Sequence, residues 1–383
     1  MCTIKMLKIL HIIPNLGKGG AERLVLDICH QLNKYDGISA SIFCFSSIND
    51  YQEYGNELDI AIINSGISLS FYKKNNYHTE ELKRAIEKLK PDIIHSHLFV
   101  AEIISRSVLY PYARWFSHCH DNMEQFENFS WKTLFSKRKL TNFYEKMFLM
   151  RCYKKNGGTH FIAISNDAKK YFEKTVPRYP TTLLHNAVDY QRFYKEKTHM
   201  AESSKIHLVN TGSFVNKKNQ KFLVEVAKIL AEKNTDFELH LLGDGENRAM
   251  LEEKTRALNL SGHVFFHGNI HYVEEWLWRS DIYVHSATYE PLGLALIEAM
   301  AAGLPVITLD GRGNRDLIEQ GKNGYMLSDQ NAEEFAVKII EIWNDRAKYI
   351  EISRYAQEFA GKFDIKEYVG KLLTMYQEAI TSC

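Results

Sequence analysis

Residues 289–307 read YEPLGLALIEAMAAGLPVI, an apolar segment with helical character that holds two glutamates. A proline disfavours the helical conformation in the residue before it and fits the first turn of a helix. Glu290 is therefore predicted at a strand-to-helix junction, with the helix beginning near Leu292 or Gly293. Glu298 falls in the second turn among apolar residues, where an ionised group without a partner would cost several kcal/mol. We therefore expect both carboxylates to be buried and partnered.

The start of this helix also predicts a kind of ligand. Helical side chains lean towards the N-terminus, so Glu298 should reach back towards Glu290. Unpaired backbone N–H groups and the positive end of the helix dipole favour a phosphate there. The segment predicts a diphosphate at the helix start with a polyhydroxyl group beside it. Two structural explanations stay open on the segment alone: Glu290 as a helix cap and Glu298 as half of a buried salt bridge.

The segment resembles the donor site of the retaining glycosyltransferases of family 4, which have the GT-B fold. Their pattern is a glutamate, seven residues, a second glutamate, an alanine-rich helix and a Gly-Leu-Pro-Val strand entry, here Glu290, Glu298 and residues 303–306. The resemblance implies that Glu290 is catalytic and contacts the transferred sugar, and that Glu298 holds the ribose hydroxyls. It implies further donor contacts at Leu292, Gly293 and Leu294.

Strand, loop and helix patterns alternate along the chain, which is typical of α/β proteins with parallel, doubly wound sheets. The predicted strands are Leu7–Ile13, Ser41–Phe45, Ala61–Asn64 and Asp92–His95, then Ile206–Thr211, Glu238–Leu242, Val264–Phe266, Ile282–His285 and Pro305–Leu309. The predicted helices include Ala21–Leu32, Glu80–Leu89, Asn219–Glu232, Arg248–Ala257 and Ile365–Ile380.

Two Rossmann-like domains are therefore predicted, separated by the polar linker of residues 195–205. The first, residues 1–195, is the predicted acceptor-binding domain, and the second, residues 196–364, the predicted nucleotide-sugar donor-binding domain. The resemblance implies the GT-B arrangement, with the parallel sheets facing across a cleft. It also implies that the helix of about residues 365–383 packs back on the first domain.

Glycines mark the loop after the first predicted strand, where the chain reads G-x-G-G-A-E from Gly17 to Glu22. Such a loop lets the backbone approach a ligand closely, although the spacing is not the dinucleotide fingerprint. The resemblance places Gly19 and Gly20 against the donor diphosphate, with Glu22 at the acceptor. A tight turn that serves packing alone is the open alternative.

The segment TGSFVNKKNQ, from Thr211 to Gln220, ends one predicted strand and opens the next helix. The resemblance places Gly212 and Lys218 on the donor diphosphate, with Lys218 catalytic, and puts Ser213 where the family usually has arginine. A solvated lysine pair at a helix start is the alternative, and the candidates to replace the missing cation are Lys217, Arg312 and Arg315. Gly243 and Gly268 end two further strands and are predicted donor contacts or turns that only shape the site.

Histidines alternate in FSHCHD, residues 116–121. The resemblance implies one histidine beside the transferred sugar and acceptor, with His120 the better match and His118 the other candidate. Alternate histidines on a strand can also share a metal, here together with His95 and His97. We nevertheless expect no metal site at these histidines, because chance pairs are expected among 16 histidines. The chain also has no Asp-x-Asp clamp for a divalent ion on a diphosphate, so we expect no metal cofactor.

Composition and charge narrow the possible partners. The chain has 383 residues, with 48 Lys plus Arg against 47 Asp plus Glu, so overall charge does not predict nucleic-acid binding. The six cysteines form no CxxC pair, which favours reduced thiols in the cytoplasm. Residues 132–155 hold eight basic residues and one acid among many apolar ones. This segment predicts either an amphipathic surface for the anionic inner face of the plasma membrane or a solvated helix face.

Together these features predict a retaining, metal-independent glycosyltransferase of hexosyl type. Its donor would be a nucleotide-diphosphate sugar and its acceptor a glycan or a lipid-linked sugar, with a role in bacterial cell-surface polysaccharide or glycolipid biosynthesis. A nucleotide-sugar epimerase of the same architecture and a non-catalytic nucleotide-sugar-binding protein are the alternatives. An epimerase would need no acceptor, and a binding protein would show neither transfer nor hydrolysis.

Overall fold

The computed structural model describes residues 6–51, 61–64, 79–196 and 204–381, without the side chains of residues 61–64, 132 and 134. The chain divides into two compact units, Met1–Asn186 with Ile365–Cys383, and Ala187–Asp364. The sequence places the first boundary at 195. Most of the predicted linker of residues 195–205 lies outside the described residues, which stop at 196 and resume at 204.

The first unit is built on a seven-stranded parallel sheet, in the order β3-β2-β1-β4-β5-β6-β7. Its strands are β1 (Leu7–Ile13), β2 (Ile38–Cys44), β3 (Ala61–Asn64), β4 (Ile93–His97), β5 (Arg114–Cys119), β6 (His160–Ala163) and β7 (Thr181–Leu183). Its helices are α1 (Gly20–Leu32), α2 (Glu80–Leu89), α3 (Leu98–Ser105), α4 (Trp131–Leu134), α5 (Lys137–Lys155) and α6 (Asn166–Thr175). The apolar run of β1 is buried from its third residue onward, as expected for a central parallel strand.

The second unit repeats this design with six parallel strands in the order β10-β9-β8-β11-β12-β13. The strands are β8 (Ile206–Thr211), β9 (Phe237–Leu242), β10 (Val264–Gly268), β11 (Ile282–His285), β12 (Val306–Leu309) and β13 (Gly324–Leu327). The helices are α7 (Tyr190–Phe193), α8 (Gln220–Glu232), α9 (Arg248–Ala257), α10 (Val273–Arg279), α11 (Leu294–Ala301), α12 (Ala332–Asn344) and α13 (Arg346–Gly361). Short 3₁₀ turns lie at Glu124–Phe126, Asn216–Lys218 and Gly313–Asp316.

The last helix, α14 (Ile365–Thr381), belongs to the first unit. It packs on α1, and the Tyr376 hydroxyl lies 2.5 Å from Nδ1 of His95 on β4. The chain therefore returns to its first unit after completing the second.

A buried ion pair ties α3 to the interior of the first unit. Arg106 Nε donates to Glu102 Oε1 at 2.9 Å, and both side chains are almost inaccessible, at 0% and 1%. The guanidinium also donates to Ser117 Oγ at 2.7 Å and lies over the rings of Trp115 and Tyr153. These contacts offset the cost of burying a charge, which is large for an unpaired group.

The predicted α/β class and the two parallel, doubly wound sheets are confirmed. Both sheets reverse strand order at one point, between β1 and β4 and between β8 and β11. Ligands of open parallel sheets bind beyond the carboxyl ends of the strands at such a point. In the second unit this is where the 289–307 segment begins.

Candidate functional site

The switch point of the second unit brings together two segments that are distant in sequence. β8 ends at Thr211 and is followed by the glycine loop that leads to Lys218, while neighbouring β11 ends at His285 and leads to Glu290. The Lys218 ammonium forms an ion pair with Glu290 Oε2. The predicted pair of charged residues therefore meets at the carboxyl end of the sheet.

Glu290 is largely buried yet ionised. Its side chain is 12% exposed, and His285 Nε2 lies 3.4 Å from its Oε2. Burial opposes the charge, but His285 and the Lys218 ammonium outweigh burial and lower the pKa of Glu290 to about 2. Glu290 is therefore a carboxylate at neutral pH, suited to balance positive charge and not to donate a proton.

The backbone of Glu290 is held by the loop after β12. Its N–H donates to Gly311 O at 2.8 Å, and its C=O accepts from Gly313 N at 3.0 Å. A Cβ on Gly313 would lie 1.9 Å from Pro291 O, so only glycine fits there. The loop therefore fixes the backbone of Glu290 and, with it, the position of the carboxylate.

Helix α11 begins at Leu294, later than the predicted start at Leu292 or Gly293. Gly293 is the residue before the helix and adopts φ 98°, which favours glycine. The Leu296 amide donates to Gly293 O at 3.0 Å, while the amides before it lack an acceptor one turn earlier, as at any helix start. The Leu292 side chain is buried and the Leu294 side chain is half-buried. A ligand at this end of the helix would therefore meet their backbone more than their side chains.

The prediction that Glu298 is buried is wrong, because its side chain is half-buried. It lies one turn into α11, on the side where Leu294 and Ala295 are also half-buried, while the opposite side packs into the core. Glu290, by contrast, is buried as predicted and has Lys218 as its partner. Burial raises the pKa of the Tyr283 hydroxyl, and the nearby charges of Glu298 and Glu290 raise it further.

The predicted glycines meet at the ends of β8, β9 and β10. Gly243 N donates to Gly268 O at 2.7 Å, and Gly212 N donates to Leu242 O at 2.9 Å. A Cβ on Gly243 would lie 2.1 Å from Gly212 O. Close backbone packing therefore explains why position 243 is glycine. Gly212 lies beside the aliphatic part of the Lys218 side chain.

Ser213 is exposed, and its carbonyl accepts from Gln220 Nε2 at 3.1 Å. Of the cations proposed to replace the missing arginine, Arg315 forms a bidentate pair with Asp310, at 2.9 Å and 2.6 Å to Oδ2. Lys217 is exposed, and Arg312 lies 5.9 Å from the centre of the Tyr289 ring. Lys217 and Arg312 are therefore the remaining candidates.

His285 is a site residue that the sequence does not single out. It ends β11, is 1% exposed, and burial lowers its pKa despite the Glu290 carboxylate beside it. The available signal is its position: a histidine at the carboxyl end of a strand next to a sheet switch point.

In the first unit, the glycine loop forms hydrogen bonds with residues that are not among the predicted site residues. Lys18 N donates to Asp50 Oδ2 at 3.0 Å, and the Tyr51 hydroxyl lies 3.2 Å from Gly19 O. Glu22 folds over Gly19, since a Cβ on Gly19 would lie 2.2 Å from Glu22 Oε2. Burial raises the pKa of Glu22. Gly20 is exposed and begins α1.

His118 and His120 share one partner. Asn186 Oδ1 accepts from His118 Nε2 at 3.1 Å, and Asn186 Nδ2 lies 3.4 Å from His120 Nδ1. The other nitrogen of His120, Nε2, is 3.1 Å from His97 Nδ1. Burial lowers the pKa of His118 to about 3 and that of His120 well below its ordinary value, so both imidazoles are neutral at pH 7.

The basic segment of residues 132–155 forms α4 and α5, but apolar and charged residues are not segregated on opposite faces of α5, contrary to the predicted amphipathic pattern. Several cations have partners within the unit, such as Arg138 with Glu124 at 2.6 Å. Trp131 and Phe135 are 79% and 86% exposed, which is unusual for large aromatic residues. Within the described residues, no helix combines the length and apolar character that a bilayer span requires.

Two family models match consecutive parts of the chain. Residues 18–192 match Glycosyltransferase Family 4, and residues 192–359 match Glycosyl transferases group 1. Two Rossmann-like units, each with a parallel sheet, define a two-unit α/β protein, and the second unit has a charged pair and a helix start at its sheet switch point. With these matches, the chain belongs to the family 4 glycosyltransferases.

Individual relatives agree with this family. The putative glycosyltransferase EpsF of Bacillus subtilis is 26% identical over 96% of both chains. EpsD of the same organism is 30% identical over 42% of both chains. The poly(ribitol-phosphate) alpha-N-acetylglucosaminyltransferase of Staphylococcus aureus is 29% identical over 40% of this chain and 32% of its own. The matches to EpsD and to the Staphylococcus aureus transferase therefore span less than half the length of those relatives.

Among solved structures, HepE from Anabaena in complex with UDP and glucose superposes with a TM-score of 0.79 at 18% identity, covering 97% of this chain and all of HepE. At this identity the likeness shows the shared GT-B fold alone. The predicted fold is thereby confirmed.

Proposed function

We propose that the chain is a retaining glycosyltransferase of hexosyl type that takes its sugar from a nucleotide-diphosphate sugar without a metal ion. The observation that carries this proposal is the Lys218–Glu290 ion pair at the start of α11. An ammonium and helix N-terminal amides suit a diphosphate, and an adjacent carboxylate suits the positive charge that develops on a departing sugar. HepE, which shares the fold, was solved with UDP and glucose, and this supports a nucleotide-sugar donor here.

In the proposed reaction the bond between the anomeric carbon and the diphosphate oxygen breaks, and a bond from that carbon to the acceptor oxygen forms on the same face. The acceptor proton passes to the departing phosphate oxygen. Lys218 and the α11 amides stabilise the leaving diphosphate, and Glu290 steadies charge at the anomeric carbon. Glu298 holds the ribose hydroxyls, for which a half-buried position is well suited because the carboxylate stays accessible to a ligand.

The roles of the remaining predicted residues follow from the resemblance. Gly19 and Gly20 would contact the donor, and Glu22, His118 and His120 the acceptor. Because the nitrogens of His120 already face His97 and Asn186, its contact with a sugar would require one of these partners to be exchanged or shared.

We propose a cell-surface glycan or a lipid-linked sugar as the acceptor. The support is the similarity to a transferase named for poly(ribitol-phosphate). Trp131 and Phe135 would insert into the interface of an anionic membrane on its cytoplasmic side, with the basic residues of α5 nearby. No nucleic-acid partner is proposed.

The membrane proposal is tested by sedimentation with vesicles of phosphatidylcholine that contain or lack phosphatidylglycerol. Replacing Trp131 and Phe135 with serine should abolish binding to the anionic vesicles. Tyr112→Ser is the matched control, because Tyr112 is 85% exposed in the same unit. Equal binding of the double variant and the parent would refute the role of these aromatics.

Transfer is tested with a panel of UDP-, GDP- and ADP-sugars scored by thermal shift, since a true donor stabilises the folded chain by mass action. The stabilising donor is then incubated with lipid-linked acceptors, with and without added Mg²⁺, and the product anomer is read by NMR. Retained configuration and a rate that does not depend on Mg²⁺ support the proposal. An inverted anomer, a requirement for Mg²⁺, or conversion of the donor sugar without any acceptor would contradict it.

A further inference from the structure

Five histidines cluster on three neighbouring strands of the first unit. His11 lies on β1, His95 and His97 on β4, and His118 on β5, with His120 directly after it. His11 is in register with His95, and His97 with His118. Alternate residues of a strand share a face, so these side chains line one side of the sheet. All five are buried, with exposures from 0% to 8%.

The ring nitrogens of this cluster are unequally partnered. His97 Nε2 lies 2.9 Å from His11 Nδ1, and His97 Nδ1 lies 3.1 Å from His120 Nε2. His95 Nδ1 lies 2.5 Å from the Tyr376 hydroxyl. Within this cluster, Nε2 of His11, Nε2 of His95 and Nδ1 of His118 have no hydrogen-bond partner among the described residues. A buried polar atom without a partner is rare, and an ion or ordered water is the usual explanation.

We propose that His11, His95 and His97 bind one late first-row transition-metal ion, of the Zn²⁺ class. Their donor nitrogens lie within 4.8 Å of one another. Two histidines at alternate positions of a strand and a third from its neighbour supply three imidazole ligands and leave a position open for water, which is the composition of known three-histidine zinc sites. A site of imidazole nitrogens without carboxylates favours zinc, copper or nickel over magnesium or calcium.

Outer partners already orient two of the three ligands. Tyr376 holds Nδ1 of His95, and His120 holds Nδ1 of His97, so that Nε2 of each ring is directed into the cluster. Metal-bound histidines characteristically use their second nitrogen in this way. The ion would in turn fix His97 and, through it, the ring of His120, which makes Tyr376 and His120 positioning residues of the site.

Two other groups are weaker candidates. His97, His118 and His120 also lie close together, but within the described residues this group holds one buried nitrogen without a partner, Nδ1 of His118, where the first group holds two. In the second unit, His207, Glu238 and His240 form a half-buried group, but Glu238 is already paired with Lys205 at 2.9 Å. Neither His207 nor His240 has a buried nitrogen without a partner.

The test uses the untagged full-length chain, stripped with a chelator and titrated with Co²⁺ as a spectroscopic probe. His240→Gln serves as the reference background, because it removes the competing group in the second unit. We expect this variant to bind one equivalent of Co²⁺ with visible d–d absorption from nitrogen coordination, and Zn²⁺ to displace it stoichiometrically. Absence of bound Co²⁺ in both the parent and this variant would overturn the proposal.

Location is assigned by His95→Gln, which preserves most of the buried volume and should remove the absorption band. Tyr376→Phe should keep the band but weaken Co²⁺ binding by about 10-fold or more, as loss of an outer partner does. A band that persists unchanged in His95→Gln would also overturn the proposal. Circular dichroism checks that each variant folds, and the titration of His240→Gln decides the question even if His95→Gln does not fold. None of these readouts depends on sugar transfer, so the outcome is independent of the proposed function.

Discussion

The ion pair between Lys218 and Glu290 allows a quantitative prediction, made with the variants Glu290→Gln and Lys218→Met and their combination. The two residues are 72 positions apart in sequence, and their side chains are 20% and 12% exposed. Removing one member leaves the other charge in a largely buried place, whereas removing both leaves none. The double variant should therefore lose less stability than the sum of the two single variants.

The magnitude follows from the pKa of Glu290, which falls from 4.5 to about 2 in the folded chain. Each unit corresponds to about 1.4 kcal/mol, so the folded surroundings favour the carboxylate over its protonated form by about 3 kcal/mol. We expect Glu290→Gln and Lys218→Met each to lower the free energy of unfolding by about 2–3 kcal/mol, with a coupling of about 1–2 kcal/mol between them.

Hydrogen exchange of the α11 and β11 amides measures these changes in the free energy of unfolding within the second unit, without assuming that both units unfold together. The control cycle uses Lys348 and Glu351, a solvated helical pair at 3.0 Å in the same unit, for which we expect a coupling below about 0.5 kcal/mol. Additivity of the Lys218 and Glu290 substitutions within about 0.5 kcal/mol would show that the two charges do not stabilise each other, because independent sites behave in that way.

Three further predictions concern the scaffold and its response to pH. Gly313→Ala should cost about 1–3 kcal/mol, since its Cβ would meet Pro291 O at 1.9 Å, and should weaken donor binding; unchanged thermal stability and affinity would contradict this. The pKa of Glu290 is lower in the folded chain than in the unfolded chain, so its stabilisation is present above pH 4.5 and is lost as the pH falls towards about 2. The parent should therefore lose stability more steeply than Glu290→Gln across that window in acid unfolding, and parallel curves would argue against it. Arg106→Met should cost about 3–5 kcal/mol in urea unfolding by leaving the Glu102 carboxylate buried without its counter-ion, and a loss below about 1 kcal/mol would show that this pair is not stabilising.

The fold is largely predictable because the central strands carry continuous apolar runs. β1, β8 and β11 have the predicted bounds, and α9 begins and ends as predicted. Four strands, β5, β6, β7 and β13, are absent from the predicted set. The edge strand β7 is an example, since its three residues, TTL, are only half-buried and show no apolar run. Short edge strands are defined by pairing with a neighbour, which local sequence does not encode.

The candidate site is predictable where backbone conformation requires a particular residue, such as proline or glycine. It is less predictable where a side chain's surroundings depend on how the elements pack. Pro291 and Gly293 fix the junction that presents Glu290, and both are visible in the sequence. The half-buried state of Glu298 depends on how α11 sits in the unit, so an apolar neighbourhood in sequence overstates its burial. The contact of Lys218 with Glu290 likewise requires knowing that β11 lies beside β8.

The most direct measurement is calorimetric titration of the stabilising nucleotide sugar into the parent, Lys218→Met and Lys221→Met. Lys221 is the matched control, because it is an exposed lysine three positions further along the chain, while Lys218 contacts Glu290. We expect Lys218→Met to lose at least about tenfold in affinity, or about 1.4 kcal/mol, while Lys221→Met binds nearly as the parent does. Equal affinity of all three proteins would contradict the assignment of the donor diphosphate to Lys218 and the start of α11.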